Sequence, residues 1–188
     1  MPKKRLLLHS CCGPCSSAVL ERLYEDYGIT VYYYNPNIYP AEEYTHRLQT
    51  QKQIIDSLPF GAEIALVEGE YNPDMFDALA AGYEECPEGG DRCRLCFEMR
   101  LSGAAKYAAK NGFDCFTTTL SVSPHKNASL LNDIGERLSA RYDIPWVFSD
   151  FKKKDGYLRS IQLSKEYGLY RQDYCGCKYS LQSRDSKS

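Results

Sequence analysis

Five short apolar runs, at residues 5–9, 29–34, 63–67, 113–118 and 146–148, recur along the chain with helix-patterned stretches between them. A strand joined to the next through a helix pairs with it in parallel, and a parallel sheet needs helices over both faces. This alternation predicts an α/β fold: a single domain over residues 1–188, built on a mainly parallel Rossmann-like sheet with helices on both faces. The intervening helices are expected at about 14–27, 41–57, 73–81, 93–111, 128–141 and 157–167. Pro14 suits a first helical turn, where its missing N–H costs nothing, and Asn111-Gly112 forms a natural C-terminal stop. A polar tail is expected after about residue 180. A chain of 188 residues is long enough to bury a substantial core.

No run of about 18 apolar residues exists, which argues against a membrane span. The opening Met-Pro-Lys-Lys-Arg-Leu-Leu-Leu has an apolar stretch too short for a signal peptide. The expected compartment is the cytoplasm. A net charge of −2 speaks neither for nor against nucleic acid, because the field at a cleft depends on the charges that line it.

In open parallel sheets, ligands collect outside the carboxyl ends of the strands. The unusual residues of this chain fall there: "SCCGPC" after the first strand, "NPNIYP" after the second, "TTLSVSPHKN" after the fourth and "SDFKKK" after the fifth. Nine cysteines in a cytoplasmic chain point to metal or redox chemistry rather than a disulfide framework. Three pairs stand out beside Cys15: Cys11-Cys12, Cys93 with Cys96 in "CRLC", and Cys175 with Cys177 in "YCGC". Two thiolates at C-x-x-C spacing reach one metal, the arrangement of zinc and iron–sulfur sites. Adjacent side chains on extended backbone point apart, so Cys11 and Cys12 are expected to serve two neighbouring centres, and Gly176 gives the Cys-Gly-Cys pair similar freedom. One four-thiolate site would take Cys93, Cys96 and one member of each other pair. A structural zinc site and a metal-free redox dithiol remain open alternatives. Cys86 and Cys115 have no close partner, and Cys115, within a strand, reads as a core thiol.

The motifs "HSCCGPCS", "YYYNPNIYPAEEYTHR", "CRLCFEMRL", "FTTTLSVSPHKN", "SDFKKKDGYLRS" and "LYRQDYCGCKYS", in that order from His9 to Ser180, resemble the QueH-type epoxyqueuosine reductases. The resemblance implies a fold akin to the adenine nucleotide α-hydrolase (HUP-like) group. It also implies the last step of queuosine biosynthesis. In that step epoxyqueuosine, at the wobble position of tRNAs with a GUN anticodon, loses its epoxide oxygen as water and becomes queuosine, which takes two electrons and two protons. The unrelated reductase for this step uses cobalamin. The QueH type is expected to use a 4Fe-4S cluster and an adjacent second metal ion, iron being the favoured one. On this chain the ligands would be Cys11, Cys12, Cys93, Cys96, Cys175 and Cys177, with Cys15 or Asp173 completing the second metal. The open iron would polarise the epoxide oxygen, the cluster would supply electrons, and Asp150 or His125 would protonate the departing oxygen. His9 reads equally as a core histidine. The expected electron donor is a ferredoxin or flavodoxin.

For tRNA, Arg47, Arg100, Lys126, Lys152, Arg159 and Arg171 are candidates for phosphate contacts, and Tyr34, Tyr39, Tyr44 and Tyr170 for stacking on an unpaired base. Two other classes compete. A zinc-stabilised RNA-binding module would explain "CRLC" but not the adjacent cysteines. A nucleotide-using tRNA thiolation enzyme would want a glycine- and serine-rich phosphate loop where this chain has cysteines.

Overall fold

A computed structural model describes residues 2–186. Four strands, β1 (Lys4–Ser10), β2 (Tyr27–Tyr33), β3 (Ala65–Glu68) and β4 (Cys115–Thr118), form an all-parallel sheet in the order β3-β2-β1-β4. The helices are α1 (Gly13–Leu23), α2 (Ala41–Ser57), α3 (Pro73–Ala80), α4 (Asp91–Lys110), α5 (Ala128–Tyr142), α6 (Gly156–Glu166) and α7 (Lys178–Asp185). β1 is central. It pairs with β2 from Lys4↔Tyr27 to Ser10↔Tyr33 and with β4 from Leu6↔Cys115 to His9↔Thr118.

The continuous apolar run of β1 follows from its two covered faces. Leu7 points to one side, where Tyr32 and Phe116 meet α4 (Phe97, Leu101, Ala104, Ala105, Ala108) and α5 (Leu131, Ile134, Leu138). Leu6 and Leu8 point to the other, where Ile29, Val31 and Cys115 meet α1 (Val19, Leu20, Leu23) and α2 (Ile54, Ile55). Period-2 alternation in a strand buried on both sides thus calls for apolar side chains at successive positions, here Leu6, Leu7 and Leu8. Each such side chain contributes about 1.5–3 kcal/mol of burial. Small alanines on α4 let that helix lie close to the sheet. Cys115 is indeed a core thiol, and its burial pushes its pKa up to about 11.

Three expectations need correction. The fifth strand is a single bridge, Phe116↔Trp146. After it the chain peels off the sheet, because its next polar groups are claimed by side chains. Thr117 Oγ1 donates to Val147 O, while the Asn132 amide accepts from Ser149 N–H and donates to Ser149 O. The first helix stops at Leu23, leaving Tyr27 to open β2 opposite Lys4. The expected polar tail is largely helix α7, whose pattern is almost wholly polar; of its residues only Ser180 is buried. Lys187 and Ser188, the end of that tail, lie outside the described residues. Among the described residues no helix is long and apolar enough to cross a membrane.

Candidate metal centre

The loop after β1 carries Cys11, Cys12 and Cys15, whose sulfurs all lie within 4.8 Å of one another. Cys11 Sγ and Cys12 Sγ are 3.8 Å apart, so the adjacent thiols converge instead of pointing apart. The chain bends at Cys11 before α1 begins, which removes the extended geometry that would have separated them. Other side chains brace this bend. Ser10 Oγ donates to Gln51 Oε1 (2.7 Å), and Gln51 Nε2 donates to Ser16 Oγ (2.9 Å). Asn35 Nδ2 donates to Ser10 O (2.8 Å). His9, just ahead, is wholly buried: Nε2 donates to Tyr34 O at 3.0 Å, so Nδ1 accepts from Thr118 Oγ1 at 2.9 Å. Burial, with the positive charge of Arg100, pushes His9 down to about 3. It is a neutral core histidine that ties together the carboxyl ends of β1, β2 and β4.

Cys93 and Cys96 lie in the first turns of α4, three residues apart and so neighbouring on the helix surface. Gly89 N–H points at Cys93 Sγ (3.2 Å). Cys96 is buried beside Cys177, Phe76 and Ala80, and burial pushes its thiol up to about 12. The Cys-Gly-Cys segment is held from α2. Buried Arg47 donates to Cys175 O (2.9 Å) and Tyr174 O (3.1 Å), with Glu43 at 2.7 Å as its ion-pair partner. Gly176 sits at φ 132°, and a Cβ there would meet Arg47 Nη1 at 2.9 Å, so both conformation and space call for glycine. Gln172 Nε2 donates to Cys12 Sγ (3.1 Å). Neither Gln172 nor Asn35 nor Gln51 was a sequence candidate. Asn35 could have been found from its place in "NPNIYP" at the site edge, whereas nothing local marks the other two.

The electrostatics favour the thiolate at Cys11. The Cys11 thiol is held well below its usual range by the Cys12 and Cys15 thiols that donate to it, with Arg100 and Lys126 adding to the effect. Cys12 and Cys15 are pushed the other way because Cys11 holds the charge. Half-buried Lys126 pays for desolvation, yet the thiols of Cys175, Cys11 and Cys15 keep it protonated. Two thiolates on one tetrahedral metal at about 2.3 Å stand about 3.8 Å apart. The Cys11–Cys12 spacing matches that edge, and Cys15 is placed to add a third.

The remaining candidates are dispersed. Asp173 faces solvent and pairs with Arg184 at 2.7 Å, apart from the thiol group. Asp150 pairs with Lys152 (3.1 Å) and Lys153 (3.6 Å), and His125 is exposed. Of the proposed phosphate contacts, Arg47 and Arg100 are 1 % and 2 % exposed and cannot reach a phosphate; their motifs place them under the thiols instead. Arg159 is committed to Glu21, and Arg171 to Ser160 O and Ser164 Oγ. Lys152 and Lys126 are half-buried at the sheet edge. Tyr34 and Tyr44 are buried, Tyr44 donating to Glu68, so neither is free to stack on a base. Tyr170 lies on His46 with ring centroids 3.8 Å apart, and Tyr39 is 49 % exposed.

Fold and site together define a class: parallel α/β proteins whose strand-end edge is lined with cysteines fit to hold metal. The family model described as epoxyqueuosine reductase QueH matches residues 6–183. The chain belongs to the QueH family. Among similar proteins, the epoxyqueuosine reductase QueH of Streptococcus pyogenes serotype M1 is 43 % identical over 177 residues, covering 93 % of this chain and 69 % of that protein. That of Staphylococcus epidermidis is 43 % identical over 182 residues, 95 % of this chain and 76 % of its own. That of Thermotoga maritima is 33 % identical over 185 residues, 97 % and 93 % respectively.

Proposed function

We propose that this chain reduces epoxyqueuosine to queuosine at the wobble position of tRNAs with a GUN anticodon, in the cytoplasm, with electrons from a ferredoxin or flavodoxin. The observation that carries this reading is the convergence of three thiols, with two more cysteine pairs and the Arg100 guanidinium around them, on the strand-end edge of a parallel sheet. A 4Fe-4S cluster and an adjacent iron, rather than cobalamin, would supply the two electrons and polarise the epoxide oxygen. Cys93, Cys96 and members of the Cys11-Cys12 and Cys175-Cys177 pairs would hold the cluster. Cys15, within the 4.8 Å group, suits the second metal better than surface-paired Asp173.

The residues around this edge divide the remaining work. Gln172 and Gln51 keep the thiol loop in one shape. Tyr39 offers an open ring for stacking on an unpaired base, and Lys126 and Lys152 provide positive charge after the last strands of the sheet. Exposed His125 delivers a proton to the departing oxygen, while Asp150, bridged to two lysines, fixes the position of Lys152.

Anaerobic purification followed by assay of iron, acid-labile sulfide and zinc tests the reading. Sulfide near four with iron near four or five per chain is expected, with turnover of epoxyqueuosine tRNA under reductant. Cys93→Ala should lose the cluster and the activity, while Cys115→Ala, a core position, should keep both. Zinc without sulfide, or a fully active C93A protein, would refute the proposal.

A further inference from the structure

Arg100 raises a question that the ligand set does not answer. Its guanidinium is 2 % exposed, and a buried charge without a counter-charge is far costlier than a lost hydrogen bond. Yet among the described residues no carboxylate forms an ion pair with it. Nη2 donates to Asn35 Oδ1 at 2.7 Å, Nη1 stands 4.0 Å from Cys96 Sγ, and Nε has no partner. Asn35 is itself fixed, donating to Ser10 O in the strand that leads into Cys11. The groups facing Arg100 that would carry negative charge as metal-bound thiolates are therefore contributed by three segments: Cys96 from α4, Cys11 from the β1 loop and Cys175 before α7. Two further cations face these thiols: Lys126, only half-buried, acts on Cys175, Cys11 and Cys15, and buried Arg47 acts on Cys12 and Cys11 but is already paired with Glu43 at 2.7 Å.

We propose that Arg100, aimed by the Asn35 side chain, is the built-in counter-charge of the thiolate-ligated centre and sets its reduction potential. The inference rests on the iron–sulfur reading above and deepens it by assigning a positioning residue. Adding an electron makes a thiolate-ligated cluster more negative, and a fixed cation at van der Waals distance from a ligand sulfur stabilises that reduced form more than the oxidised one. Arg100 thereby eases electron entry from a donor without touching the substrate. Asn35 supplies the orientation: its amide oxygen takes Nη2 of the guanidinium and leaves Nη1 turned toward Cys96 Sγ.

The test is a spectroscopic reduction titration of anaerobically prepared protein, with iron and sulfide counted in the same samples. Arg100→Gln should still bind the cluster but reduce less readily, by at least tenfold in the one-electron equilibrium constant, which is about 59 mV. Arg100→Lys, which keeps the charge, should stay closer to the parent protein than R100Q. If R100Q does not hold the cluster, Asn35→Ala decides, since freeing the guanidinium should lower the potential in the same direction while Arg100 remains. A loaded R100Q with the parent potential, or, where R100Q does not load, an N35A protein with the parent potential, overturns the proposal and leaves the iron–sulfur reading standing. A parent protein with zinc and no sulfide overturns both.

Discussion

Arg47 is where stability and site assembly meet, and replacing it with methionine separates the two. Met keeps much of the stem volume but removes three hydrogen bonds from a charged donor, to Glu43 Oε1, Cys175 O and Tyr174 O. Hydrogen bonds to charged groups contribute about 1.5–3 kcal/mol each, and removing one partner of a buried ion pair costs about 3–5 kcal/mol. The losses overlap. Glu43 keeps the Tyr170 hydroxyl at 3.0 Å, and the carbonyls of half-buried Tyr174 and Cys175 can take water in part. The expected destabilisation of Arg47→Met is therefore about 3–5 kcal/mol, a large share of the roughly 5–15 kcal/mol that holds a domain folded. Glu43→Gln should cost about 1–2 kcal/mol, since its amide oxygen can still accept from Arg47. Urea unfolding with chelator present measures both free of metal-linked stability. Because Arg47 positions the Cys-Gly-Cys segment, R47M should also take up less iron under conditions where it is folded. A loss below about 1 kcal/mol with full metal uptake would refute this account of the segment's anchoring.

Two further outcomes follow from single contacts. His9 has its folded-state pKa depressed from 6.5 to about 3, so between those values the unfolded chain holds a proton the folded chain does not. Its contribution is complete above pH 6.5 and is lost as pH falls toward 3, at up to about 1.4 kcal/mol per unit. Histidine NMR should show one ring that stays neutral at pH 5, and a His9 signal titrating near 6.5 would contradict it. Gly135→Ala would place a Cβ 2.3 Å from the Trp146 ring, an overpacking worth about 1–3 kcal/mol. As Trp146 is the sole tryptophan, its fluorescence reports the displacement directly, and an unchanged emission spectrum and stability would rule out the clash.

The architecture was legible in the sequence because each strand of a parallel sheet announces itself by local composition. Leu6-Leu7-Leu8, a short apolar run closed off by Gly13-Pro14, reads as a strand covered on both faces, and Pro14 and Asn111-Gly112 mark helix ends with their own backbone chemistry. The same local rules misjudged Trp146–Phe148 and α7. In the first, distant Asn132 and Thr117 side chains take the hydrogen bonds a strand would need; in the second, the helix forms without an apolar stripe. The chemistry was legible at the level of residue types: cysteine pairs at metal-ligand spacing, one of them, Cys11-Cys12, in the loop at a strand's carboxyl end.

What the sequence by itself determined is which thiols are available and that the loop of Cys11, Cys12 and Cys15 lies at the carboxyl edge of the sheet, since both follow from composition and from the polarity of strand–helix alternation. Only the tertiary structure decided how they face each other and what surrounds them. Cys11 and Cys12 converge because the chain bends between strand and helix. Arg47 and Arg100, surface candidates by composition, are buried beneath the thiols because α2 and α4 pack against the loops that carry them. Charge in a sequence has no location, and its effect on a thiolate depends on distance and on exclusion of water, which only the fold supplies.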